Sequence, residues 1–316
     1  MQFADPQTIK QPHGGLIPEE KKENDYILGA AVAWEIINQE KRWRNFMPVF
    51  ELQKNRRGDV WGCVGFSYNS AHEFIHIKRY GKEINKNDRF VVVGSGTIPN
   101  RGNSKRAVAE WGRKNFWVDE PVWPYTEDMT IEEYYNDGVV PQEFINQAAL
   151  LKPNYELQYQ WLPGNTQKHI LDGLKFSPVQ VDVERYNFNN KGYIINTQTG
   201  FYHEVLIFDF EDGECWWVFD SETNQVLKFD WNYNFGSPMI HSLKKKNMTK
   251  IYKKKGEPAL YFLNPKDENL VSFSDGVISG GDLFKTLFVE YYFDEYDELP
   301  YPIAPYSITT AQSYEK

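Results

Sequence analysis

At Pro178 the hydrophobic pattern of the chain changes period. Before it, apolar residues recur every three or four positions. From Cys63 onward, Cys63, Phe66, Ser67, Ser70, Phe74, Ile77 and Tyr80 keep that spacing, and Gly81 ends the run, which predicts a long helix. Residues 105–114 predict a second, with Ala107, Val108 and Trp111 on one face. Residues 166–175 predict a third, with Thr166 as N-cap. A short apolar stretch at 26–37 fits either a helix or a strand. After Pro178 the pattern alternates: Val179, Val181 and Val183 are separated by polar residues. The β-rich runs 204–210 and 215–220 flank Glu211-Asp-Gly-Glu, a hairpin turn. Helices first and a mostly antiparallel sheet second is the α+β order.

With 316 residues, 41% hydrophobic and 16% aromatic, the chain has material for a packed core. Composition shifts near residue 244, where lysine runs at 244–246 and 253–255 read as a solvated linker. The segment 249–316 reads as a small accessory α/β module of short strands (259–263, 271–276) and a helix (281–288), suited to attachment or docking. Residues 1–25 read as an extended, polar, Pro/Gly-containing stretch, and 1–45 as an N-terminal arm, whether propeptide, strap or assembly contact. The net charge of −9 argues against a nucleic-acid binder, which needs a basic face to displace counterions. No apolar run is long enough to span a membrane. The polar N-terminus lacks the apolar core of a signal peptide, so a cytosolic protein or an export route without such a signal is expected.

Two cysteines, Cys63 and Cys215, exclude a disulfide framework and a cysteine-rich metal site. Cys63 opens the long helix, where unpaired amides and the positive dipole end favour thiolate. The same amides can donate to a developing oxyanion, and Gly62 would let the backbone approach a substrate. Cys215 lies inside a strand and reads as core filler. His203 begins the strand 204–210, and Asp220 ends the next one. A tight hairpin sets these opposite ends side by side, so the spacing permits a Cys–His–Asp triad.

Gly62-Cys63-Val-Gly-Phe-Ser resembles the nucleophile segment of papain-like cysteine peptidases, Gly-Ser-Cys-Trp-Ala-Phe-Ser. His203-Glu-Val-Leu-Ile-Phe-Asp-Phe is similar to their His-Ala-Val-Leu-Ile-Val-Gly-Tyr, and Trp217-Val-Phe-Asp-Ser to Trp-Ile-Val-Lys-Asn-Ser. The segment from Arg101-Gly-Asn-Ser to Trp123-Pro-Tyr resembles their helix-plus-WPY region. The resemblance covers roughly residues 46–243, taken as the peptidase domain. It implies a two-lobed fold, a helical lobe carrying Cys63 and a β lobe carrying His203 and Asp220, hydrolysing polypeptides with no cofactor or metal. Asp25-Tyr-Ile-Leu-Gly-Ala, Phe50-Glu-Leu-Gln and Phe229-Asp-Trp-Asn-Tyr-Asn-Phe-Gly are similar to papain-like proteins of tailed bacteriophages. That narrower resemblance implies a virion or host-cytoplasm setting, with other virion proteins as partners.

Several positions depart from the family pattern. The family's oxyanion glutamine falls on Arg57 at the usual spacing; Gln53 takes the role only if Lys54-Asn-Arg-Arg is an insertion. Glu204 follows the base where the family has a small residue. Asp220 replaces asparagine and should hold an imidazolium more strongly. Ser221-Glu-Thr replaces the segment that supplies an aromatic cover. Two other functions stay open: a virion structural or attachment protein with a degenerate site, and a peptidoglycan endopeptidase, amidase or transglutaminase using the same triad. His72 and His76 share a helix face but lack an acidic third ligand, and read as a surface or core pair instead of zinc ligands.

Overall fold

The computed structural model describes residues 3–22, 25–29, 34–152 and 154–246, and the backbone of five further strands between 251 and 298. The chain divides into two compact units, Met1–Lys244 and Lys245–Lys316. In the first, β1 (Lys54–Asn55) and β2 (Gly58–Asp59) form a small hairpin. Then come α1 (Cys63–Tyr80), α2 (Asp88–Gly94), α3 (Lys105–Asn115), α4 (Ile131–Tyr135) and α5 (Gln142–Ala149). Strand β3 (Tyr155–Trp161) and helix α6 (Gln167–Gly173) precede β4 (Val179–Val183), β5 (His203–Glu211), β6 (Cys215–Asp220), β7 (Gln225–Asp230) and β8 (Gly236–Lys245). The sheet order is β3-β8-β4-β5-β6-β7, and β8, β4, β5, β6 and β7 pair antiparallel in turn. The α+β order expected from the sequence is therefore present.

The local signals act as expected where they are strong. Gly81 closes α1 at φ 63°, donating its N–H to the Ile77 carbonyl. Thr166 accepts from the His169 amide and caps α6. Helix α2 carries no sequence expectation, because its run of valines is a poor helix former. Asn87 caps it by accepting from the Phe90 amide, and packing fixes the rest. Its Val92 fits against Gly65, where an added Cβ would lie 2.6 Å away. Val92 and Phe66 also fill the space beside Gly62. Helix packing therefore also demands a glycine at position 62.

Among the described residues there are two hydrophobic clusters, and α1 belongs to both. Its first turns (Val64, Phe66, Tyr68) pack among the helices with Phe90, Val92 and Tyr134. Its later turns (Ala71, Phe74, Ile75) pack on the sheet with Val181, Leu206 and Phe208. The helix N-terminus is thereby held at the seam between a helical half and a sheet half. The polar positions of β4 face that seam and are buried: Gln180 donates to the Ser67 hydroxyl at 2.7 Å, and Asp182 meets Lys105.

Residues 34–45 are part of this packing. Trp43 is fully buried, donates its ring N–H to the Leu174 carbonyl at 2.8 Å and touches the Phe46 and Phe74 rings. Trp43→Ala should lower stability by about 3–5 kcal/mol, read as a fall in the denaturant midpoint at unchanged slope.

The lysines at 244–246 do not form a linker from their first residue. β8 runs to Lys245, with Lys244 half-buried and Lys245 exposed. In the second unit, β9 (Ile251–Lys254), β10 (Leu260–Leu263), β11 (Leu270–Ser274), β12 (Val277–Gly280) and β13 (Tyr296–Glu298) form an antiparallel sheet in the order β12-β11-β10-β9-β13. Lys253 and Lys254 are thus strand residues as well. The helix expected at 281–288 lies outside the described residues.

Candidate active site

The first turn of α1 is set up by the residues before it. Gly62 caps the helix without a side-chain bond, so no capping side chain consumes the first-turn amides. Trp61 sits at φ 51°, a left-handed conformation that costs an aromatic residue about 1–2 kcal/mol. The Asp59 carboxylate holds it there by accepting the Trp61 N–H at 2.6 Å. Cys63 is fully buried. Burial pushes its thiol above the usual range; the His203 imidazole pulls in the opposite direction.

His203 and Asp220 stand at adjoining ends of β5 and β6. His203 Nε2 lies 2.9 Å from Asp220 Oδ1, and both side chains are inaccessible to solvent. Burial alone would disfavour an imidazolium, but Asp220 and then Cys63 raise the His203 pKa well above its ordinary value. Burial also opposes ionisation of Asp220. The imidazole, the Glu222 amide at 2.9 Å and the Thr223 hydroxyl at 3.0 Å outweigh it, and its pKa is lowered. The Tyr186 hydroxyl donates to the second oxygen at 3.2 Å, and its ring meets the His203 ring edge to face. Among the described residues, Nδ1 of His203 has no hydrogen-bond partner at ordinary distance, and the Cys63 thiol is the neighbour that raises its pKa after Asp220. The structure thus brings Cys63, His203 and Asp220 to one seam.

Gln53 is buried beside them. Its backbone N–H donates to Ser221 at 3.0 Å, its carbonyl accepts from Val60, and Lys54 to Asp59 leave as the β1–β2 hairpin. The amide Nε2 donates to Asp59 at 2.9 Å, and Oε1 accepts from the Ser221 hydroxyl at 2.7 Å. Cys215 opens β6, with burial pushing its thiol up to about 11, and no imidazole among the groups that shift it. His72 and His76 are buried and bonded to the carbonyls of Tyr68 and Lys82.

Glu204 points away from His203 along the alternating strand and joins Asp182 and Lys105. Lys105, at the start of α3, bonds Asp182 and the Ser237 carbonyl and lies 3.7 Å from Glu204, all three side chains being buried. Burial raises the Glu204 pKa well above its usual value, with Lys105 opposing and Asp182 reinforcing the shift.

Across the site runs the chain's own N-terminal segment. The Leu16 N–H donates to the Tyr202 carbonyl at 3.1 Å on the sheet side. On the helical side, Asn103 N–H donates to Gly15 at 3.0 Å, and Ile17 N–H donates to Asn103 at 2.8 Å. Gly14 and Gly15 are buried, and Gly15 lies against Cys63 Sγ. The His13 amide and Nδ1 bond the Glu222 carboxylate at 2.7 and 2.6 Å, and Asp59 lies 3.6 Å away. Burial raises the pKa of both Asp59 and Glu222. Among the described residues, His13, Asp59 and Glu222 bring donor atoms close enough together to hold a metal ion; here they bond one another.

Sequence reasoning did not find Tyr186, Thr223, Asp59, Glu222 or the diglycine. The last left a trace, since Gly14-Gly15 breaks an otherwise polar arm just before apolar Leu16 and Ile17.

No protein-family model and no curated protein matches the chain. Solved structures similar to it include the digestive procathepsin L 3 of Tenebrio molitor larval midgut, at 15% identity and TM-score 0.45, covering 64% of this chain and 68% of that one. The bromelain protease of Ananas comosus, in an inhibitor complex, is 14% identical at TM-score 0.46, covering 64% and 98%. A cysteine protease of Carica candamarcensis is 12% identical at TM-score 0.46, covering 64% and 96%.

Proposed function

We propose that the chain is a cysteine-type peptidase with Cys63 as nucleophile, His203 as general base and acid, and Asp220 as the group that orients the imidazole. The observation that carries this reading is the buried 2.9 Å contact of His203 with Asp220, beside a thiol on the first turn of α1. A buried imidazole kept cationic by a carboxylate favours thiolate in its neighbour. In the reaction, Sγ bonds to the substrate carbonyl carbon and the carbonyl oxygen takes the negative charge. First-turn amides stabilise it, with the Gln53 amide as a further donor. His203 gives its proton to the leaving nitrogen as the C–N bond breaks, then takes one from the water that hydrolyses the thioester. The tailed-phage setting enters this proposal through sequence resemblance alone.

An irreversible thiol-directed peptidase inhibitor tests the reading. Once the cleft opens, it should modify Cys63 and leave Cys215 unmodified, and Cys63→Ala should abolish labelling. Equal labelling of both thiols, or none at Cys63 after the N-terminal segment has been displaced, would overturn the assignment.

A further inference from the structure

We propose, resting on the peptidase reading, that the cleft selects polypeptides with adjacent glycines at the nucleophile, and that Gly14-Gly15 is this enzyme's own image of such a substrate. The slot around Gly15 is narrow and its walls are mostly backbone. A Cβ on Gly15 would lie 2.8 Å from the Trp61 carbonyl oxygen, 3.0 Å from its carbon and 3.0 Å from Cys63 Sγ. None of these can yield cheaply: Trp61 is pinned by Asp59, and Cys63 begins a buried helix. One position earlier, a Cβ on Gly14 would lie 3.2 Å from the Tyr202 ring and 3.3 Å from its carbonyl oxygen. The opposite wall has itself given up its side chain. A Cβ on Gly102 would fall 1.8 Å from the Gly15 oxygen.

Backbone conformation makes the same demand. Gly14 and Gly15 have φ of 107° and 123°, values that residues with a Cβ rarely adopt. The occupant is held by main-chain hydrogen bonds to Tyr202 and Asn103, which any polypeptide can make. Steric exclusion at Gly15, with a tight fit and a positive φ at Gly14, is what discriminates. A diglycine reads the same in both directions, so the demand does not depend on which way a substrate runs.

The experiment uses the full-length chain and four internally quenched peptides that share their flanks and differ only centrally: Gly-Gly, Gly-Ala, Ala-Gly and Ala-Ala. Gly15→Ala places a methyl group against Trp61 and Cys63, so the segment should leave the slot. Alkylation of Cys63 by iodoacetamide should then accelerate more than tenfold over the unaltered chain. That variant should cleave the Gly-Gly peptide at least a hundredfold faster, in kcat/KM, than the Ala-Ala peptide, with the mixed peptides between. His13→Ala, which loosens the segment without adding an atom, should show the same ranking and replaces Gly15→Ala if that chain does not fold. Equal cleavage of all four peptides would overturn the glycine selectivity and leave the peptidase reading standing. Rapid alkylation of Cys63 with no peptide cleaved would overturn both.

Discussion

His203→Ala will lower kcat/KM for peptide hydrolysis at neutral pH by on the order of 10³–10⁴, in any form of the chain whose cleft is open. The loss should fall mainly on kcat. The fold should survive, because Asp220 keeps the Glu222 amide and the Thr223 and Tyr186 hydroxyls as donors; circular dichroism checks this. Asp220→Asn should cost less, since an amide can still orient the ring. It removes the charge that holds the His203 pKa up. The alkaline limb of the pH–rate profile should therefore move to lower pH, whereas a purely structural role for Asp220 would lower the whole profile without displacing it.

Lys105→Met will reduce stability by about 3–5 kcal/mol at neutral pH, the cost of stranding buried charge. It leaves Asp182 and Glu204 without their cation at the junction of α3 and the sheet. The deficit should be pH-dependent, with a fixed sign. Burial already raises the Glu204 pKa above its unfolded value, and Lys105 opposes the shift more than any other group. A group shifted upward imposes no penalty below its unfolded pKa, and an increasing one as pH rises toward its folded pKa. Denaturant midpoints of the variant should thus approach those of the unaltered chain as pH falls toward about 4. A deficit that is constant with pH would mean that Lys105 acts through packing alone.

The parts of the site carried by local pattern were legible in the sequence. The three-and-four spacing after Cys63 gives α1, and the turn at 211–214 gives the hairpin that joins His203 to Asp220. The parts carried by partners remote in sequence were not. Tyr186 supplies the aromatic cover over the His203–Asp220 bond from a loop with no periodic signal. Asp59 and Glu222 look like turn residues until folding buries them beside His13. Gln180 and Asp182 read as the solvent side of β4, yet the helical half covers that face, so both are buried. Alternation reveals which residues share a face, but not whether that face is dry. Gly62 and Gly65 explain themselves only once Val92 packs on them. The lysines closing β8 show the reverse, a charged run that reads as linker while its backbone continues a strand.

The residues that fill the cleft and the residues that form it belong to one covalent chain, which makes occupancy a matter of effective concentration. For a short flexible tether that concentration is on the order of millimolar, and diluting the protein does not reduce it. A free substrate must outcompete an occupant that never diffuses away. Any ligand measured on the intact chain will bind more weakly than its true affinity, by the fraction of time the cleft stands open. Cutting the chain between Ile17 and Trp34, upstream of the buried Trp43 and of the site residues Gln53, Asp59 and Trp61, would end that advantage while leaving their contacts in place.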